Sequence, residues 1–215
     1  MKEKLVAGLT TGMLLLGMTT MANANLVTNG SFEEGNFIAD VNNAMSLPVG
    51  STQISGWSVV NGETGWLNTP NPWGAIGTDG AKFLNLEGYD HSPPYGGVSQ
   101  TIATTLGQKY TLSFEMGGAG GSLYWGPSAL LLSVGGTSHP FLFDPPYDGY
   151  QWQTFSLDFI ADSSSTPISF IGTVGVHFTG LDSVSVTPVP IPASILLFGT
   201  AIAGLVGTPQ KRKNL

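Results

Sequence analysis

Short runs in which apolar and polar residues alternate occupy the middle of the chain. Every second residue is apolar over 110–116 and again over 155–159, and this period of two is the signature of half-buried strands. Turn-forming residues interrupt the sequence about every 8–12 residues. Further strand candidates are Trp57–Val60, Lys82–Leu86, Val98–Ile102, Ala129–Val134, Pro140–Phe143, Ile168–Thr173 and Leu181–Val186. We therefore predict an all-β domain over residues 25–187, a jelly-roll β-sandwich of about eight to ten strands.

The charge of this domain excludes one class of partner. Lys82 and Lys109 are its only basic side chains other than histidine, and they stand against thirteen acids, which gives a formal charge of −11. Such a surface repels nucleic acid, so we predict no nucleic-acid partner. The chain has no cysteine, which removes disulfides and thiol chemistry from consideration.

The first 24 residues have the features of a secretory signal peptide. Lys2 and Lys4 precede a mostly apolar run, Leu5–Met18, which we expect to form a signal helix. Ala22 and Ala24 then supply the small residues of a signal-peptidase site, so the mature chain is predicted to begin at Asn25. The alternative is an uncleaved N-terminal anchor.

Residues 188–215 form a second targeting segment. Ile191–Val206 carries no charge and would make about 24 Å of hydrophobic helix, ahead of the basic triplet Lys211–Lys213. With Pro190, Ile191 and Pro192 before it, the segment resembles the PEP-CTERM sorting signal of bacterial exported proteins, although Ile191 stands where that signal has Glu. The resemblance implies a transient hold in the inner membrane, cleavage near Pro190–Pro192 by an exosortase-type enzyme, and delivery to the cell surface or extracellular matrix. The alternative is a plain membrane anchor.

Six segments of the middle domain follow one another in an order seen in a known fold family. They are Asn25–Gly35, Gly56–Val59, Val98–Thr101, Gly107–Phe114, Trp152–Phe155 and Leu181–Val186. Together they resemble the galactose-binding-like jelly rolls, which include several carbohydrate-binding modules and a plant cell-wall family. The resemblance implies a structural Ca²⁺ ion held by Glu33 and Asp182, with Glu34 as a looser candidate.

The position of Asp182 in its strand also bears on calcium. Asp182 shares the parity of Val184 and Val186, so we expect it to face the core, where an unpaired carboxylate is costly. A bound cation would relieve that cost, and oxygen ligands suit Ca²⁺. The alternative is that Asp182 caps backbone amides at the edge of the sandwich.

The candidate ligand-binding residues are aromatic side chains in loop-like segments. Sugars present C–H faces that stack on aromatic rings. Trp73, Tyr95 and Trp125 are the preferred candidates, because Gly or Pro neighbours indicate exposed turns. The remaining loop-like aromatics are Trp66, Tyr89, Tyr124, Tyr147 and Tyr150, whereas Phe32, Trp57 and Trp152 are expected to fill the core.

Enzyme signatures are missing from the sequence. It has no Gly-x-Ser-x-Gly or His-Glu-x-x-His motif, and its histidines, His91, His139 and His177, are widely separated. We therefore predict no catalytic residues and a non-catalytic module that binds a neutral or calcium-bridged extracellular polysaccharide. The alternatives are a structural matrix protein without a specific ligand and a glycan-active hydrolase.

Overall fold

Two antiparallel sheets make up the part of the chain that the computed structural model describes, residues 24–89, 91–120, 127–146, 148–174 and 178–190. Within these ranges we number the strands β1 to β11 in chain order. Their bounds are Ala44–Leu47, Ser58–Val60, Thr64–Asn68, Lys82–Asn85, Gly97–Ala103, Lys109–Gly120, Ser128–Val134, Thr137–Phe143, Gly149–Ile160, Ser165–Gly172 and Gly180–Pro188.

The strands form one six-stranded and one five-stranded sheet. The six-stranded sheet has the order β1-β3-β4-β11-β6-β9, and the five-stranded sheet has the order β2-β5-β10-β7-β8. From β4 to β11 the chain passes repeatedly from one sheet to the other, as it does in jelly rolls. The prediction of an all-β sandwich is confirmed.

Most of each targeting segment lies outside the residues that the structure describes. The signal helix falls on residues 1–23 and the hydrophobic helix on residues beyond 190, both outside the described ranges. Within those ranges, no helix has the length and apolar character needed to cross a membrane.

The residues that alternate in the sequence build the core between the sheets. Leu112, Phe114 and Met116 of β6 are fully buried, and Phe114 meets Phe170 of the facing sheet edge-on at 5.1 Å between ring centroids. The apolar residues at 155, 157 and 159 are only half-buried, because β9 lies at the edge of its sheet. In both β6 and β9 the alternating apolar residues therefore face the core between the sheets.

Two strands and one tryptophan depart from the sequence-based expectation. No strand was expected at β1 or β3, since β1 has only four residues and β3 contains Gly65 and ends before Thr69-Pro70. The expectation that Trp66 lies in a loop is wrong. Trp66 is fully buried in β3, and its indole Nε1 donates a hydrogen bond to the carbonyl of Phe32 at 3.0 Å.

Asp182 is buried, but on the opposite face of its strand from the one predicted. The pairing of β11 with β6 shifts in register between Asp182 and Ser185, and Ser183 between them has a φ of 52°. Asp182 pairs with Glu115, whose two neighbours in β6 face the core. The extra residue of this β-bulge reverses the alternation, so Asp182 lies on the outer face of the six-stranded sheet.

Candidate functional site

The outer face of the six-stranded sheet carries a second hydrophobic cluster, separate from the core. We call it the outer cluster; its buried members are Ala44, Leu67, Ala75 and Phe83, with Trp73, Tyr89, Tyr150 and Trp152 packed against them. Trp152 was expected in the core between the sheets and Tyr150 in a loop, and both of these expectations are wrong. Glycines at 117 and 180 leave room for these rings, because a Cβ at Gly180 would collide with the Tyr150 hydroxyl.

A connecting segment, residues 69–81, crosses the outer cluster and positions Trp73. The Trp152 indole Nε1 donates to the carbonyl of Ile76 at 2.7 Å. Asn71 closes a turn around Trp73, since its Nδ2 donates to the Ala75 carbonyl at 2.7 Å and its Oδ1 accepts from the Ala75 amide at 3.2 Å. The Asn71 side chain thereby satisfies the backbone in a loop that has no strand partner.

Beside this segment lies a recess of about 200 Å³, which we call the aromatic recess. Trp73 lies against Phe178 with ring centroids 5.6 Å apart and against Tyr89 at 6.3 Å. The imidazole of His91 meets Phe178 edge-on at 5.6 Å. The remaining lining residues are Gly65, Leu67, Asn85 and Gly88. Four rings from three separate stretches of the chain thus converge on one cavity.

Polar groups anchor the turn behind the recess. Asn85 Nδ2 donates to the Gly88 carbonyl at 3.2 Å, and its Oδ1 accepts from the Glu87 amide at 3.2 Å. The buried carboxylate of Glu87 accepts a hydrogen bond from the Thr179 hydroxyl at 2.8 Å. Its Oε2 lies 3.5 Å from His91 Nδ1. Hydrogen bonds therefore hold the turn behind the recess in place.

The phenol of Tyr89 is held at the rim by a carboxylate. Its hydroxyl donates to Asp40 Oδ2 at 3.1 Å. Burial is the larger cause, and this hydrogen bond the next, of a pKa for Tyr89 that lies well above its ordinary value. Burial acts to raise the pKa of Asp40, but the amides of Ala44 and Asn42 and the Tyr89 hydroxyl together lower it. Near neutral pH the rim therefore carries a neutral phenol beside an ionised carboxylate.

The structure brings together only one of the three preferred ligand-binding candidates with other aromatic rings. Trp73 lines the aromatic recess, whereas Tyr95 is not among the lining residues and its carbonyl accepts from Asn61 Nδ2 at 2.7 Å. Trp125, like Tyr124 and Tyr147, lies outside the described residues. Phe178 was not a sequence-based candidate for ligand binding, because a single Phe ahead of β11 forms no pattern that links it to Trp73.

The predicted calcium ligands Glu33 and Asp182 both contact the end of segment 69–81. Asp182 Oδ2 accepts from the Thr78 amide at 2.8 Å, the Thr78 hydroxyl at 3.0 Å and the Asp79 amide at 3.2 Å. Its Oδ1 accepts from the Ser183 amide at 2.7 Å. This is the backbone-capping role that the sequence left open as an alternative. Burial raises the pKa of Asp182 to about 6, although these hydrogen bonds oppose that shift.

Glu33 is bound to the same segment by a different set of donors. Its Oε1 accepts from the amides of Ala81 and Lys82, and its Oε2 forms an ion pair with Lys82 Nζ at 3.2 Å. Glu34 is exposed, and its own amide donates to Asn29 Oδ1.

In the described arrangement these residues do not fit a Ca²⁺ ion. N–H donors and an ammonium group face the oxygens of Glu33 and Asp182 that would have to bind the cation. Nowhere in the described ranges do three or more His, Cys, Asp or Glu residues group closely enough to hold a metal. Calcium binding stays a prediction from the sequence alone that these contacts do not favour, and a chelator experiment tests it.

The sequence of the described domain matches one protein family. Residues 25–177 match the family described as Protein of unknown function (DUF642), and the chain belongs to that family. A stretch of 113 residues, 51% of the chain, is 34% identical to Halomucin of Haloquadratum walsbyi. The chain spans about 1% of the length of that protein.

Solved structures similar to the chain include carbohydrate-binding modules. One is the module TmCBM61 in complex with β-1,4-galactotriose, at 14% identity and a TM-score of 0.44, covering 77% of this chain and 99% of that one. Another, described as CBM4, has 18% identity and a TM-score of 0.41, covering 76% and 99%. A family 35 module of Clostridium thermocellum has 13% identity and a TM-score of 0.41, covering 66% and 97%. Similarity at this level does not identify a ligand for the chain.

Proposed function

We propose that this protein is exported and that its β-sandwich binds one sugar unit of an extracellular polysaccharide without turning it over. The aromatic recess is the observation that carries the proposal. Trp73, Tyr89 and Phe178 supply ring faces for the C–H face of a sugar, while Asn85 and His91 are polar residues of the same lining. An apolar cavity with a few convergent polar groups is typical of a small-ligand site.

The size of the recess indicates how much of a polymer it takes. At about 200 Å³ it is smaller than the roughly 300–1,000 Å³ of sites that enclose drug-sized ligands. A single sugar ring is therefore the expected occupant, with the rest of the polymer in solvent. Because a good aromatic contact contributes only about 0.5–1.5 kcal/mol, we expect dissociation constants in the micromolar to millimolar range.

Titration of a glycan panel, followed by tryptophan fluorescence, tests the site directly. Trp73→Ala is expected to weaken binding about tenfold, since it removes the ring that contacts both Phe178 and Tyr89. Tyr95→Ala removes an aromatic residue outside the recess and is expected to bind as the wild type does. Loss of binding in Tyr95→Ala or Trp125→Ala, with Trp73→Ala unaffected, would instead support the other two sequence-based candidates.

The same panel separates the two alternative functions. Absence of binding to every glycan would favour a structural matrix protein whose attachment to the surface is its function. The pairing of Glu87 with His91, 3.5 Å apart at the recess, is the observation that favours a glycan-active hydrolase, because a carboxylate beside an imidazole is a common acid–base arrangement. Release of reducing ends from a bound glycan would establish that activity.

The export part of the proposal predicts a mature chain from Asn25 to about Pro190. Asn25 Nδ2 donates to the Val184 carbonyl at 3.2 Å, and its Oδ1 accepts from the amides of Val27 and Val186. Cleavage after Ala24 keeps these contacts, and cleavage near Pro190, Ile191 and Pro192 by an exosortase-type enzyme keeps all of β11. N-terminal sequencing and the intact mass of surface-extracted protein measure both ends. A mass that includes residues 193–215 would identify the tail as an ordinary anchor in the inner membrane.

A further inference from the structure

Three carboxylates contact residues that line the aromatic recess. Asp40 Oδ2 accepts from the Tyr89 hydroxyl at 3.1 Å, and Glu63 Oε1 accepts from the Tyr89 amide at 3.3 Å. Glu87 lies behind His91, with its Oε2 3.5 Å from the imidazole Nδ1. Acidic groups from three different segments therefore lie directly behind Tyr89 and His91, two of the four ring-bearing residues that line the cavity.

The two lysines of the domain do not line the recess. Lys82 Nζ pairs with Glu33 at 3.2 Å, and Lys109 Nζ pairs with Asp158 at 2.8 Å. The described lining of the recess contains no lysine or arginine, and His91 is its one basic side chain. A sugar that carries a carboxylate or sulfate would meet these acids with little to offset them, and the formal charge of −11 on the domain adds to the repulsion.

The aromatic walls favour the opposite charge. The ring planes of Trp73 and Tyr89 meet at 70°, and those of Trp73 and Phe178 at 49°. The rings therefore form an angled enclosure rather than a flat platform for stacking. The face of an aromatic ring attracts a cation, and the phenol of Tyr89 stays neutral at ordinary pH. The rings and the carboxylates thus both attract a positively charged ligand.

We infer that the recess selects a sugar unit with a free, positively charged amino group, as found in deacetylated amino-sugar polymers. This inference rests on the proposed function and specifies its ligand class. The sugar ring would stack on Trp73 or Phe178, while the ammonium group lies toward Tyr89 and the carboxylates around it. Acetylation of the amine would remove the charge and lengthen the substituent in a cavity sized for one ring.

Three trisaccharides with the same β-1,4 linkage test this inference. Calorimetric titration compares the trimers of glucosamine, N-acetylglucosamine and glucose against the mature domain. We expect the glucosamine trimer to bind about tenfold more tightly than either neutral trimer and to lose most of that preference in high salt. Equal or tighter binding of a neutral trimer would overturn the amino-sugar inference and leave the proposed function standing. If none of the trimers binds and the wider glycan panel also fails, both are overturned.

Variants that replace a single carboxylate by an amide show whether acids at the recess cause the preference for the amine over the acetylated trimer. Asp40→Asn and Glu63→Gln each remove one charge next to Tyr89. The ratio of the dissociation constant of the acetylated trimer to that of the amine trimer is expected to fall about two- to fivefold in each variant. Asp158→Asn is the matched control, since it removes one charge at the Lys109 pair, and its ratio should equal that of the wild type. An equal fall in all three variants would assign the preference to net charge alone and overturn the inference.

Discussion

Trp66→Ala is expected to lower the free energy of unfolding by about 3–5 kcal/mol, the usual range for removing a large buried aromatic side chain. The Trp66 side chain is completely shielded from solvent and meets Phe37 edge-on with ring centroids 5.1 Å apart. Its indole also donates to the Phe32 carbonyl, so the substitution leaves a buried acceptor unpaired. Phe32 and Phe37 would lose their contacts with the Trp66 side chain in β3.

Urea denaturation of Trp66→Ala and Trp73→Ala, compared with the wild type, measures this effect. Trp73 is half-buried at the aromatic recess, so its replacement is expected to cost distinctly less stability while it weakens ligand binding. Equal losses of stability in the two variants would contradict the central position of Trp66. Trp66→Phe, which keeps most of the volume and removes the hydrogen bond, separates the packing contribution from that of the indole N–H.

Asp182→Ala is expected to destabilise the domain by about 3 kcal/mol at neutral pH, because unpaired buried donors cost about 1–3 kcal/mol each. The amides of Thr78, Asp79 and Ser183 all donate to this carboxylate. Without it, segment 69–81 loses its attachment to β11 at the end nearest Thr78. Because the other end of the segment carries Trp73, we also expect weaker glycan binding in this variant. Thr111→Ala, which removes an exposed hydroxyl that bonds to Asp158, is the control and should change the free energy of unfolding little.

The effect of Asp182 on stability should depend on pH in a definite direction. Burial raises its pKa in the folded protein to about 6, against an ordinary value of 3.8. The folded state therefore binds a proton more tightly than the unfolded state between these two values, and this contribution to stability decreases as the pH rises from about 4 to 6. The cost of Asp182→Ala should be larger at pH 4 than at pH 7, by no more than about 3 kcal/mol. A cost that grows with pH would contradict the burial of this carboxyl group.

Melting the wild type and Asp182→Ala with and without a chelator tests whether the domain binds calcium. Because N–H donors already face the oxygens of Asp182 and Lys82 faces Glu33, we expect the wild-type melting temperature to be the same with and without a chelator. If the chelator lowers the melting temperature of the wild type but not that of Asp182→Ala, then calcium is bound as the sequence predicted. The donors of Thr78 and Asp79 would then have to give way to the ion.

Much of the sandwich was predictable because strand alternation is a local property of the sequence. The runs 110–116 and 155–159, predicted to be half-buried strands, lie within β6 and β9. The two strands that were missed are those in which local signals conflict with tertiary pairing. In β3 the turn-forming neighbours of Trp66 outweigh its preference for burial when only the sequence is considered, whereas the pairing of β3 with β1 and β4 places it in the core.

The sequence by itself determined the fold class, the acidic surface, the candidate export signals and the identity of Trp73 as a ligand-binding candidate. Only the tertiary structure decided which residues accompany Trp73, because Tyr89 and Phe178 are brought to it by the path of the chain over a sheet. It also decided the face on which Asp182 lies. A bulge at Ser183 adds one residue to the strand, and in a structure with a side-chain period of two, one residue is enough to exchange the inner and outer faces.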